Sequence, residues 1–98
     1  MARLIWSPRA TYNLDQIGEF IAKDSIRAAR RIIKEIRTRA QEIPAQPYLG
    51  ALVPEYEDEL IRERQVESYR LIYEIRDDDI YILLVWHAAR LLPKDPRH

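Results

Sequence analysis

The sequence predicts an α+β domain in the order β-α-α-β-β-β, a helical hairpin packed on a small, mainly antiparallel sheet. Three observations predict it. Apolar residues recur at helical spacing through the first half, and two aromatic-rich apolar runs face each other across Asp77-Asp78-Asp79 in the second. Between the halves, prolines and a glycine interrupt every regular pattern. A chain of 98 residues with 47% hydrophobic content has room for one core, so residues 1–98 read as a single domain.

Arg3-Leu4-Ile5-Trp6 alternates like a strand and meets Ser7-Pro8, a pair suited to a helix N-cap with proline in the first turn. Over residues 8–22, Ala10, Leu14, Ile17 and Ile21 form an apolar stripe at helical period, with Gly18 as its weak point. Asp24 or Ser25 caps a second helix in which Ala29, Ile33, Ile36, Ala40 and Ile43 repeat the spacing until Pro44 forbids continuation. So short a connection predicts an antiparallel hairpin.

Residues 44–58 contain Pro44, Pro47, Pro54 and Gly50 with no period, and are expected to form an irregular loop of the length that is usually functional. Strands are expected over 59–66, 68–76 and 80–87, as a meander. Because Ile80 to Trp86 is apolar on both faces, the last strand belongs inside the sheet, with the N-terminal strand on its far side.

The formal net charge of +0 hides an asymmetry. Residues 23–39 carry seven Lys/Arg against two acids, +5, whereas residues 55–79 carry four arginines against ten acids, −6. Two such faces steer charged partners. The default reading of the basic run is the solvated back of an amphipathic helix; the functional one is a surface for nucleic acid or a protein–DNA complex. The acidic run Glu55, Glu57, Asp58, Glu59 reads as a solubilising loop or a dock for a basic partner.

With no cysteine, and with His87 and His98 as the two histidines, no metal or cofactor is expected. The opening residues lack a basic stretch followed by a long apolar run, so no membrane span is expected and the protein reads as cytoplasmic. No small-molecule substrate is expected either.

Arg70 stands inside an apolar strand, so it must reach water, pair with a carboxylate such as Glu63, or serve a ligand. His87 and Arg90 sit at the exit of the last strand. An imidazole changes charge near neutral pH and suits an acid or base, while a structural strand-end histidine is the alternative.

The ordered set Trp6-Ser7-Pro8-Arg9-Ala10, Leu14, Ile17, Pro47, Gly50 to Glu55, Ile61-Arg62-Glu63, Tyr69-Arg70-Leu71-Ile72-Tyr73 and Val85-Trp86-His87-Ala88-Ala89-Arg90 resembles the RelE/ParE superfamily of toxins from type II toxin-antitoxin systems. The family pattern usually continues Arg-Glu-Leu where this chain has Arg64. The resemblance implies a cognate antitoxin as partner. It implies two modes of action: ParE-like members bind DNA gyrase, and RelE-like members cleave messenger RNA in the ribosome. For a nuclease, Arg70, His87 and Arg90 would be the catalytic set. The RelE-type tyrosine is missing after Tyr81, and no lysine occurs between Lys34 and Lys94. The ParE-like reading is therefore preferred, with Arg62, Arg64, Arg70, His87, Arg90, Lys94 and Arg97 as target-binding residues. A ribosome-dependent endoribonuclease is the alternative, and an inactive relative that acts only in an antitoxin complex is a third. Leu91 and Leu92 are expected to pack on the domain, and residues 93–98 to form an irregular tail that adds little to stability or antitoxin binding but engages the target, so that deleting it weakens toxicity.

Overall fold

The computed structural model describes residues 2–97. His98 lies outside the described residues, as does Met1. Strand β1 (Leu4–Trp6) leads directly into helix α1 (Pro8–Ala22), whose first turn is capped by Ser7 Oγ accepting from Ala10 N at 3.0 Å. Helix α2 (Ile26–Glu42) starts at Ser25, whose Oγ accepts from Ala28 N at 3.0 Å; of the two candidate caps, Ser25 is the one used.

Strands β3 (Ile61–Val66), β4 (Tyr69–Arg76) and β5 (Asp79–His87) form the expected meander. Its tight turns place Glu67 and Asp77 at positive φ, 52° and 53°. The sheet has five strands in the order β1-β5-β4-β3-β2, with β1 parallel to β5 and the other pairs antiparallel. The unexpected strand is β2 (Ala51–Leu52), which pairs with β3 inside the stretch read as irregular. That stretch also holds two 3-10 turns, Ile43–Ala45 and Pro47–Leu49.

Long side chains organise it. Tyr73, fully buried in β4, donates its hydroxyl to Pro47 O at 2.5 Å, and the Arg62 guanidinium reaches Gly50 O at 3.2 Å. Gly50 is required by close approach: a Cβ there would collide with the Tyr73 hydroxyl and lie 3.0 Å from Glu63 O.

Alternation along β4 and β5 divides the core in two. On the helix side, Leu71, Tyr73, Ile75, Ile80, Ile82 and Val85 pack under Ala10, Leu14, Ile32, Ile36 and Ala40. The deep position of α2 is Ile32, whereas Ile33 is half-buried and would lie 3.5 Å from a Cβ added at Gly18 of α1. On the other side, Ile61, Ile72, Leu83 and Leu84 cluster with Val53, Tyr56, Trp86 and Leu92. A bulge opposite Ile72 and Tyr73 brings the consecutive residues Leu83 and Leu84 into this second cluster.

Among the described residues, no helix covers that second face. The loop after β2 and the C-terminal segment cover it instead, which corrects the expectation that the tail adds little to stability. Tyr56 donates its hydroxyl to Pro93 O at 2.6 Å, Arg9 reaches Asp95 O at 2.9 Å, and Pro96 is buried. Arg97 pairs with Glu74 at 2.5 Å and Asp58 at 3.0 Å, and Glu74 is only 6% exposed. Leu92 packs as expected, but Leu91 points to solvent at 94% exposure.

A buried carboxylate that loses a cation keeps its desolvation cost, so the tail contributes to stability. Arg97→Gln should lower stability by about 1–2 kcal/mol, Arg97 itself being partly solvated. Deleting residues 93–98 should cost more, because Pro96 and the Tyr56 bond leave with it. Chemical denaturation measures both; a truncated protein as stable as the full chain would show the segment to be passive.

Candidate functional site

Arg70 rises from the start of β4, its second residue, on the helix-free face, its side chain 14% exposed. It does not face open solvent. Its Nε and Nη2 donate to Glu63 at 2.7 and 2.9 Å, while Nη1 and Nη2 donate to Glu55 at 2.6 and 2.9 Å. Two carboxylates thus take the two donor edges of one planar guanidinium, the strongest geometry available to this pair type. Glu63 comes from the neighbouring strand and Glu55 from the loop above it, so the group ties the loop to the sheet. Of the alternatives left open by the sequence, ion pairing with Glu63 is the arrangement observed. Glu55, read only as part of a solubilising acidic run, is the partner that the sequence did not reveal. Its sole signal is an acidic residue after Pro54 facing a strand that carries an arginine.

These bonds shift titrations. Hydrogen bonds donated to both glutamates hold the Arg70 guanidinium charged well above its ordinary range, and the bond from Arg70 holds the Glu55 carboxyl below the usual carboxylate range.

The other predicted residues scatter. Arg62 serves the 3-10 turns through Gly50 O and Tyr48 O and lies 5.2 Å from the Tyr48 ring, while Arg64 approaches Glu42 of α2 at 3.9 Å. Arg97 closes the tail on Glu74, and Lys94 is exposed on the same segment. Arg62 and Arg64, opposite Tyr73 and Leu71, thus lie on the other face from Arg70, while Arg97 and Lys94 belong to the segment that covers Arg70's own face.

His87 and Arg90 do come together. They line an open groove of about 590 Å³ between α1 and the exit of β5, with Tyr12, Asn13, Gln16, Phe20, Tyr69 and Trp86 among its walls. Arg90 stacks on Trp86 at 4.3 Å, and the Trp86 indole donates to Leu91 O at 3.0 Å. His87 meets Tyr69 edge-on at 5.4 Å between centroids, and its Nδ1 accepts from Ala89 N at 3.0 Å. In the neutral ring that bond leaves the hydrogen on Nε2, pointing outward. Burial pushes the Tyr69 hydroxyl pKa up. Asn13 anchors the groove floor, accepting from Val85 N at 3.2 Å. Tyr12 and Phe20, 61% and 68% exposed, form an apolar rim that sequence periodicity missed because they lie off the buried stripe of α1.

Strand alternation separates the proposed catalytic set. In the register, Tyr69 opposes His87 and Arg70 opposes Trp86. Tyr69 packs with the helix-side cluster and Trp86 with the helix-free one, so Arg70 and His87 issue on opposite faces.

Carboxyls whose folded pKa is depressed stabilise the fold above their unfolded values and lose that contribution as pH falls through the folded ones. Glu55 beside Arg70, Glu67 beside Arg31 and Asp79 beside Arg3 are all shifted this way. The melting temperature should accordingly be flat from neutral pH to about 5 and fall below about pH 4.3, where free carboxylates begin to protonate. In Arg70→Met the acid fall should be shallower; an identical pH profile would deny Glu55 its pairing.

The same fold occurs in known proteins. A family model described as the ParE toxin of the type II toxin-antitoxin system parDE matches residues 4–92. Toxin RelE2 of Caulobacter vibrioides is 32% identical over 91 residues, spanning 93% of this chain and 100% of the relative. Putative toxin Y4kP of Sinorhizobium fredii is 33% identical over 95 residues, 94% of each chain. The chromosomal ParDE TA system from P. aeruginosa matches in structure with a TM-score of 0.74 at 20% identity, over 89% of this chain and 96% of that one. Matched along nearly its whole length, the chain belongs to the ParE toxin family of type II toxin-antitoxin systems, within the RelE/ParE superfamily.

Proposed function

We propose that this toxin inhibits growth by binding DNA gyrase rather than by cleaving RNA, and that a cognate antitoxin neutralises it. The observation that carries the reading is the state of Arg70. Metal-free RNA cleavage needs a cation on the scissile phosphate and an acid or base aligned with it. The guanidinium that would serve is already taken up by Glu55 and Glu63. Releasing it for a phosphate would leave Glu63, with 17% of its side chain exposed, without its partner. His87, the one candidate acid or base, lies across the sheet from it.

A binding mode asks for less. The groove of Trp86, His87 and Arg90 has an aromatic-stacked arginine, an outward imidazole edge and an apolar rim, the composition of an interface anchor. The same rim suits an amphipathic helix or extended segment of an antitoxin, which would occupy the anchor and block the target.

With purified gyrase, the protein should inhibit supercoiling, and in a translating extract it should leave messenger RNA intact. Arg90→Ala should raise the inhibitory concentration by roughly ten- to thirtyfold, as expected for truncating a central interface arginine worth about 2 kcal/mol. Ribosome-dependent loss of message with gyrase unaffected would replace this reading with the endoribonuclease.

A further inference from the structure

The second helix carries charge that nothing described in the fold consumes. Its basic residues divide into two sets. Arg31 pairs with Glu35 and Glu67, and Arg39 with Glu42. Arg27, Arg30, Lys34 and Arg37 are exposed and, among the described residues, form no ion pair. Their spacing of three, four and three residues places them in one row on the side of α2 away from the buried Ala29, Ile32, Ile36 and Ala40. At the helical rise, the row runs about 15 Å. Arg30, Lys34 and Arg37 line one shallow depression together with Thr38, Gln41, Ala29 and Ile33. The acids of α1, Asp15 and Glu19, are exposed and form no ion pair with the row among the described residues.

We propose that this row is a binding surface for the phosphate backbone of double-stranded DNA. A straight line of cations fits a straight line of phosphates, and duplex DNA presents one charge per about 1.7 Å of axis. The flanking Thr38 and Gln41 are hydrogen-bonding side chains of the kind that contact phosphate oxygens. An acidic protein would match the charge but not the rest. Protein interfaces depend on a desolvated apolar or aromatic centre, and between residues 27 and 42 no large apolar side chain is exposed among the described residues. With a whole-molecule charge of +0, binding depends on this one face, so it is weak, salt-sensitive and blind to sequence. The inference does not rest on gyrase as target, since it concerns the isolated protein and DNA.

The test is fluorescence anisotropy of a short random-sequence duplex titrated with purified protein. At about 50 mM salt the dissociation constant should fall in the range of roughly 10⁻⁴ to 10⁻⁶ M, and log K against log salt should slope by about −2.7 to −3.6, three or four phosphate contacts at about −0.9 each. The combined variant Arg30→Gln, Lys34→Gln, Arg37→Gln should bind at least about tenfold more weakly and lose most of the slope, while Arg31→Gln, whose charge is already paired, changes neither. Circular dichroism and melting establish that each variant is folded. Absence of binding to the duplex at low salt would overturn the proposal, as would undiminished binding by the folded triple variant. Tighter binding to poly-glutamate or to single-stranded RNA than to duplex DNA would overturn it as well.

Discussion

The sheet has two faces to bury, and the chain provides helices for only one. On the helix side the solution is ordinary: two amphipathic stripes lie on Leu71, Tyr73, Ile82 and Val85. On the other side the residues left over are a proline-rich loop and a short tail, neither able to form an apolar layer of its own. Val53, Tyr56 and Leu92 give them an apolar footing, and charge fixes both. Arg70 captures the loop through Glu55, and Glu74 captures the tail through Arg97. The placement of the cover, and therefore what the sheet can offer to a partner, depends on these two ionic anchors.

This arrangement explains why a strand arginine in a toxin of this superfamily need not be a catalytic one. A guanidinium with both edges occupied is rigid, neutralised and shielded, the opposite of a cation poised for a developing phosphorane charge. The ionic anchors leave open two other parts of the surface: the groove at the exit of β5, where His87 and Arg90 converge, and the back of α2. The groove combines apolar and polar features, and the helix back is dominated by basic side chains. They are suited to different classes of partner.

Most of the architecture was legible in the sequence because it is written in period. The stripes of α1 and α2, the Ser7-Pro8 start, the stop before Pro44 and the three-strand meander all follow from local spacing. The short strand β2 was not, because two residues carry no period; Ala51 and Leu52 are fixed by pairing with Glu63 and Arg62 of β3, distant in sequence. The tail was misjudged for a related reason. Prolines correctly argued against regular structure, but irregular chain is still ordered when its side chains find buried partners, as Arg97 finds Glu74. In the site, strand alternation alone would have separated Arg70 from His87 had the register been known. The pairing of Arg70 with Glu55 depended on the path of a loop that no local signal encodes.

The central claim is that the charge of Arg70 serves the fold and not phosphate chemistry. Replacing a shielded ion group by apolar side chains of similar volume is often neutral to stability, so the combined variant Arg70→Met, Glu63→Met, Glu55→Gln can keep the fold while removing the cation. Growth inhibition on induction of this variant, in cells without antitoxin, is the most direct measurement. The account predicts inhibition close to that of the unaltered protein. A folded variant that no longer inhibits growth would contradict it.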